Sequence, residues 1–151
     1  MALTSNTIKA IQDIMRKDVG VDGDAQRIGQ LTWMLFLKIW DDREAEQELI
    51  DDRYESPIPE SLRWRSWAKD EEGLTGDALL EFVNGRVFPR LKELRTDGPN
   101  RERALLIREI FADAYNYMKS GTLMRQVINR LNADIDFNDS QKRHLLGEIY
   151  E

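Results

Sequence analysis

The feature that most constrains the fold is an apolar-rich run of ten residues, from Leu31 to Trp40. On a helix, its large side chains cover nearly the whole circumference, which is typical of a buried central helix in a bundle. The run is about half as long as the roughly 20 residues that a membrane span needs. We therefore predict a long central helix over about residues 23–49, with Asp22 as its N-cap and with no membrane association.

Helical periodicity dominates the rest of the chain, and no convincing period of two residues predicts a strand. The Asn84-Gly85 pair is expected to end one helix, and the helix after Asn100 is expected to reach about Tyr117. The predicted fold is all-α, a compact multi-helix bundle around the central helix. Residues suited to cap the other helices are Ser5, Thr75, Asn100 and Ser120.

The last predicted helix opens at residues 138–140 and has no stop signal before Glu151. Residues 1–151 are therefore expected to form a single helical domain at the N-terminus of a longer chain. The alternative is a native C-terminal helix that frays.

The formal net charge of −6 is unevenly distributed. Residues 41–55 hold eight acids and two bases, a net of −6, so the other residues sum to zero. Residues 86–130 hold ten bases and five acids, a net of +5. A basic stretch of this kind is compatible with a nucleic-acid partner, whereas the acidic segment is expected to be the solvent-exposed end of the central helix.

Several chemistries are incompatible with the residues present. There is no cysteine and a single histidine, His144, so thiolate metal sites and Cys/His nucleophiles are excluded. No glycine pair forms Gly-x-Gly, and no glycine precedes a lysine, so nucleotide-binding loops are absent. We expect no catalytic, cofactor or metal site in this chain. The lack of cysteine and of an apolar leader segment favours the cytoplasm.

Two tryptophans and two arginines alternate in the segment Arg63-Trp64-Arg65-Ser66-Trp67. Such interleaving suits stacking on nucleic acid or an anchor in a protein interface. The other interpretation, which we favour, is that Trp64 and Trp67 pack the loop onto the bundle and leave both arginines in water.

The start of the helix after Ser120 is a candidate phosphate site. Its free backbone N–H groups, with Lys119 nearby and Arg125 and Arg130 along the helix, could hold a phosphate oxygen. Ordinary capping with solvated arginines is the alternative. Arg101 and Arg103 belong to the same basic stretch and complete the set of candidate DNA contacts.

Five separated segments, in order, resemble a known family. They are residues 18–46 (DVGVDGDAQRIGQLTWMLFLKIWDDREAE), 56–68 (SPIPESLRWRSWA), 74–94, 112–129 (ADAYNYMKSGTLMRQVIN) and 135–151. Together they are similar to the N-terminal helical domain of the modification (methyltransferase) subunit of type I restriction-modification enzymes.

The resemblance implies a parent enzyme that transfers a methyl group from S-adenosylmethionine to adenine N6 in DNA. It also implies assembly of two modification subunits with one specificity subunit, and restriction subunits as further partners. The family's catalytic motif needs two adjacent prolines, and the four prolines here are all separated, so no catalytic or cofactor residue is carried over.

Two functions follow from these observations. The first is a DNA clamp and assembly domain that touches phosphates through Arg101, Arg103, Lys119, Arg125 and Arg130. The second is a purely protein-binding module that makes no direct DNA contact. It docks on another subunit through the basic stretch or through Trp64 and Trp67, with Arg63 and Arg65 beside them. A free-standing enzyme is the contrasting third possibility.

Overall fold

A computed structural model describes residues 5–135. The helix predicted to open at residues 138–140 lies outside the described residues, and so does His144. The all-α prediction is confirmed, and the described residues contain no strand. The helices are α1 (Ser5–Met15), α2 (Asp24–Ile50), α3 (Trp64–Trp67), α4 (Gly76–Phe82), α5 (Phe88–Leu91), α6 (Arg101–Ala112) and α7 (Gly121–Asp134). Short 3-10 turns occupy Val19–Val21 and Glu60–Leu62.

The central helix is present as α2, which begins one residue later than predicted and is capped by Gly23, not by Asp22. Trp33, Met34 and Leu37 are fully buried on one side of it. The Trp33 ring meets Phe88 edge-on, with a centroid distance of 4.8 Å, and this contact joins α2 to α5. The other apolar residues of the run, including Phe36, are only partly buried, so one side of α2 is partly exposed to solvent.

The chain stays helical through Asn84-Gly85, where a break was expected. Val83–Val87 forms a π-helical turn that connects α4 directly to α5. Both valines at its ends are fully buried, and their apolar contacts favour continued helix despite the glycine.

Helix α6 ends at Ala112, five residues before the predicted end. The residues that follow are irregular because their backbone groups have partners elsewhere. The Tyr117 N–H donates to the Gln30 side chain at 2.7 Å, and the Lys119 N–H donates to Asp18 at 3.0 Å. These side chains of α2 and of the α1–α2 connection compete successfully with helical hydrogen bonding.

The starts of α4 and α7 approach each other at two glycines. Gly76 has φ +58°, in the left-handed region. A Cβ atom added to Gly121 would lie 1.8 Å from the Gly76 carbonyl oxygen. The added Cβ atom is attached to the α7 backbone, and the oxygen that it would meet belongs to the backbone at the start of α4. Neither atom can move without shifting a helix, so only glycine fits at residue 121.

No helix within residues 5–135 has both the length and the apolar character needed to cross a bilayer.

The Gly121 contact predicts a large effect of a single methyl group. Gly121→Ala should lower the free energy of unfolding by about 2 kcal/mol, because the α4 and α7 backbones must separate. Gly98→Ala is the matched control, since nothing lies within 4 Å of the added Cβ atom. Urea denaturation followed by circular dichroism measures both, and equal stabilities of the two variants would contradict the packing described here.

Candidate interaction surfaces

The start of α7 is occupied by a carboxylate of the chain itself. Asp18 is 3% exposed. Its Oδ1 accepts from the backbone N–H of Gly20 at 2.8 Å, and its Oδ2 accepts from those of Lys119 at 3.0 Å and Ser120 at 2.8 Å. The Leu123 N–H donates to the Ser120 hydroxyl at 3.1 Å, which completes the cap.

This arrangement argues against the phosphate site expected at Ser120. The N–H groups of Lys119, Ser120 and Leu123 already have acceptors, so capping, the alternative, describes this helix start. The Lys119 side chain itself is exposed, with Nζ 5.9 Å from the Tyr115 ring centroid.

A second set of polar contacts fixes the segment before α7. The Gln30 amide donates to Asn116 Oδ1 at 2.9 Å and accepts from the Tyr117 N–H. Asn116 donates in turn to Asn84 Oδ1 at 2.9 Å. Gln30 and Asn116 are both buried, so these bonds replace water that the side chains lost on folding.

Arg125 is 5% exposed and lies inside the molecule. Its guanidinium group donates to four main-chain carbonyls of the segment between α3 and α4, at 2.7–3.1 Å. The carbonyls belong to Trp67, Ala68, Asp70 and Leu74. Burial lowers the pKa of Arg125 from its ordinary value, and the charge of Asp70 opposes that shift.

The donors of Arg125 therefore serve the fold in this conformation, which argues against the phosphate contact predicted from the sequence. Arg130 is more accessible, with 42% of its side chain exposed, but its Nε donates to Asp134 Oδ2 at 2.6 Å. The same carboxylate oxygen accepts from Thr7 at 2.8 Å, so Arg130 belongs to the junction of α1 and α7.

Both tryptophans of the loop are buried, as the favoured interpretation predicted. The Trp64 indole donates to Asn132 Oδ1 at 2.8 Å, and that of Trp67 donates to the Leu62 carbonyl at 3.0 Å. The two rings contact each other at 5.4 Å between centroids. In this conformation the tryptophans anchor the loop to the bundle and are not available as interface anchors.

The two arginines beside them are half-buried, and neither is left in water. The Arg63 Nε donates to the Ile58 carbonyl at 3.0 Å. Arg65 bridges two acids of α2, with 2.8 Å to Asp41 Oδ1 and 2.8 Å to Glu48 Oε2. Burial opposes the charge on Arg65, but the hydrogen bonds to Glu48 and Asp41 outweigh it and raise the pKa of Arg65.

The acidic end of α2 is consequently less exposed than expected. Asp41, Asp42 and Glu44 are all buried. Burial raises the pKa of Asp41, and the hydrogen bond from Arg65 opposes that change. Lys38 Nζ lies 2.5 Å from Asp42 Oδ2. Asp41, Asp42 and Glu48 are therefore paired with bases, whereas Asp51, Asp52 and Glu55 lie exposed beyond Ile50.

Most of the exposed bases of residues 86–130 lie before α7 in the sequence. Arg101 and Arg103 are exposed, and Arg103 Cζ lies 4.8 Å from the Tyr54 ring centroid. Arg86 and Arg90 are also exposed and border one shallow cavity of about 440 Å³. Their spacing of four was visible in the sequence, but neither residue was singled out there as a candidate contact.

Among residues 5–135, no cluster of three or more His, Cys, Asp or Glu side chains could hold a metal ion.

Comparison with known proteins identifies the family. Residues 4–131 match the model of the HsdM N-terminal domain. This chain belongs to that family. The chain is 61% identical over 147 residues to the type I restriction enzyme EcoEI methylase subunit of Escherichia coli. The alignment covers 97% of this chain and 30% of that relative, so the chain spans about a third of the relative's length.

Two solved structures share the fold. One is a modification subunit assigned to a type I restriction enzyme from Vibrio vulnificus YJ016, with a TM-score of 0.81 and 36% identity over 96% of this chain and 33% of that one. The other comes from work on complex assembly and conformational transition of the type I R-M system. It has a TM-score of 0.72 and 33% identity, over 94% of this chain and 29% of that one.

The position of Arg125 predicts a structural role that a phosphate contact would not have. Arg125→Met should lower the free energy of unfolding by about 3 kcal/mol, because four carbonyls lose their donor in a buried place. Arg101→Met removes the same charge from an exposed position and should change stability by less than about 0.5 kcal/mol. Thermal and urea denaturation of both variants provide the test, and a stable Arg125→Met protein would show that the guanidinium contacts are dispensable.

Proposed function

We propose that this chain is the N-terminal DNA-clamp and assembly domain of a type I modification subunit. The family match and the two structural neighbours support the assignment to such a subunit. The parent subunit is proposed to be an S-adenosylmethionine-dependent adenine-N6 DNA methyltransferase of the cytoplasm. Its proposed partners are the specificity subunit, a second modification subunit and the restriction subunit.

The domain itself is proposed to be non-catalytic. The printed sequence has neither a Gly-x-Gly loop for the cofactor nor two adjacent prolines for the adenine pocket. Its contribution is therefore to binding, and the methyl-transfer chemistry belongs to other parts of the parent subunit.

The observation that carries the DNA proposal is a set of exposed bases without acidic partners. Arg86, Arg90, Arg101 and Lys119 form no ion pair with an acid among the residues that the structure describes. Long, unpaired cations of this kind contact phosphates without reading bases. Of the DNA contacts predicted from the sequence, Arg103 remains a candidate. Arg125 is no longer proposed because it is buried, and Arg130 is a weaker candidate because it bonds to Asp134.

The alternative function is a purely protein-binding module. Its original basis, the Trp64 and Trp67 pair, is weakened because both rings are buried. The side of α2 that carries Phe36, Ile39 and Trp40 is only partly buried, and this gives the protein-binding alternative a different basis. Protein binding there does not depend on the proposed DNA contact.

The DNA proposal predicts a change in salt dependence. In the modification complex that carries this domain, Arg86→Gln with Arg90→Gln should reduce the slope of log K against log salt by about 2, because two phosphate contacts are lost. Fluorescence anisotropy of a labelled duplex at several salt concentrations measures the slope.

Arg95→Gln is the matched control for this experiment. Arg95 is exposed as well, but it is paired with Asp97 at 3.1 Å, so its removal should leave the slope nearly unchanged. An unchanged affinity and slope in the double variant would refute the DNA contact at these residues and favour the protein-binding alternative.

A further inference from the structure

Two of the exposed arginines lie in one row because of the π-helical turn at Val83–Val87. Apolar residues recur at every fourth position of this segment, and all four are fully buried: Leu79, Val83, Val87 and Leu91. In a regular α-helix, a spacing of four advances the side chain by about 40° each time, so these residues would drift away from a single face. The wider π-helical turn takes up an extra residue and keeps them on the side that meets the core.

The same correction aligns the residues on the exposed side of the segment. Phe82, Arg86 and Arg90 also follow one another at intervals of four, and both arginines are exposed. The Arg86 guanidinium carbon lies 5.5 Å from the Phe82 ring centroid, and that ring packs against Trp67 with 5.9 Å between centroids. Arg86 therefore rests against a fixed aromatic ring, which reduces the side-chain entropy that it loses on binding.

The π-helical turn is also fixed from inside the bundle. Asn84 Oδ1 accepts from the Asn116 amide at 2.9 Å, and Asn116 Oδ1 accepts from the Gln30 amide at 2.9 Å. Gln30 and Asn116 are buried, so this chain of amides connects the turn to α2. Turns of this kind are frequent at functional sites, and the exposed side of this one carries Arg86.

A hydroxyl group without a partner lies beside the two arginines. Ser61 is exposed and borders the cavity of about 440 Å³ that Arg86 and Arg90 also line. Within residues 5–135, the Ser61 hydroxyl forms no hydrogen bond. The cavity thus presents two guanidinium groups and one neutral donor, which are the groups that contact phosphate oxygens in protein–DNA complexes.

The charged lining of this cavity is basic on balance. It consists of Arg86, Arg90 and Glu93, two bases and one acid, a net of +1. In the part of the chain that the structure describes, Glu93 forms no ion pair with either arginine, so their donors are not taken up by an acid. A shallow basic surface suits an anion that extends along it, and a nucleic-acid backbone is such an anion.

We propose that Ser61, Arg86 and Arg90 form a phosphate row that follows one strand of DNA. Arg86 and Arg90 are separated by a rise of about 6 Å along the helix and donate to successive phosphates of that strand. The Ser61 hydroxyl donates to an oxygen of one of these phosphates. This inference rests on the proposed DNA contact and adds to it a neutral donor and a single strand shared by both arginines.

The first test separates the hydroxyl group from the charges. In the modification complex that carries this domain, Ser61→Ala should weaken binding to duplex DNA by about tenfold, because a hydrogen bond to a charged group is lost. The slope of log K against log salt should stay that of the unaltered complex, since a neutral side chain releases no counterion. Fluorescence anisotropy of a labelled duplex at several salt concentrations measures both quantities.

Ser66→Ala is the matched control for the hydroxyl test. Ser66 is exposed in the same loop but lies outside this cavity, and its hydroxyl already donates to the Glu60 carbonyl at 2.6 Å. Its removal should change the affinity by less than about twofold. Circular dichroism melting curves of the domain with each substitution establish that both variants fold.

The second test locates the two phosphates. Neutral methylphosphonates are placed one at a time along both strands of a duplex that the complex binds in one register. A substitution at a contacted phosphate should weaken binding by the unaltered complex, and this loss should vanish in the variant that lacks the contacting arginine. The positions that become insensitive in Arg86→Gln and in Arg90→Gln should be adjacent on one strand.

Several results would overturn the phosphate row. They are an unchanged affinity of Ser61→Ala, equal weakening by Ser61→Ala and Ser66→Ala, and sensitive phosphates that are on opposite strands or not adjacent. If the double variant of Arg86 and Arg90 still lowers the salt slope under any of these results, the DNA proposal stands without the row. An unchanged slope in that double variant would remove both.

Discussion

The buried guanidinium group of Arg125 is the contact on which much of this structure depends. The segment between α3 and α4 is irregular, so its carbonyls cannot be satisfied by a neighbouring helix or strand. One side chain of α7 supplies donors to four of them and holds the segment against the bundle. Asn132 adds a donor to Ala68 and an acceptor for Trp64, so α7 organises the whole loop.

Asp18 performs the complementary task at the N-terminus of α7. Its carboxylate accepts from the backbone N–H groups that precede the helix, a position that suits an anion. An acid and a base of the chain therefore satisfy backbone groups around the first turns of α7. The basic stretch of residues 86–130 consequently contains two populations, with Arg125 inside and Arg86, Arg90, Arg101 and Lys119 in solvent.

Local signals in the sequence predicted a large part of this fold. The apolar run identified α2, and Ser120 was correctly predicted as a cap, because periodicity and capping depend on residues close in sequence. The burial of Trp64 and Trp67 was also the favoured interpretation. The contacts of Asp18 with Lys119 and of Arg125 with Trp67 join residues far apart in sequence, and a single sequence holds no signal that pairs them. The early end of α6 and the π-helical turn at Asn84-Gly85 were missed for the same reason, since tertiary contacts decide them.

Position in the fold, and not membership of the basic stretch, decides which arginines are available for the proposed DNA contact. The most direct measurement follows the arginine Nε–H resonances of the isotope-labelled chain while short duplex DNA is added. The account predicts shifts for Arg86 and Arg90 and an unchanged, solvent-protected resonance for Arg125. A shift of Arg125, or unchanged resonances for both Arg86 and Arg90, would contradict it.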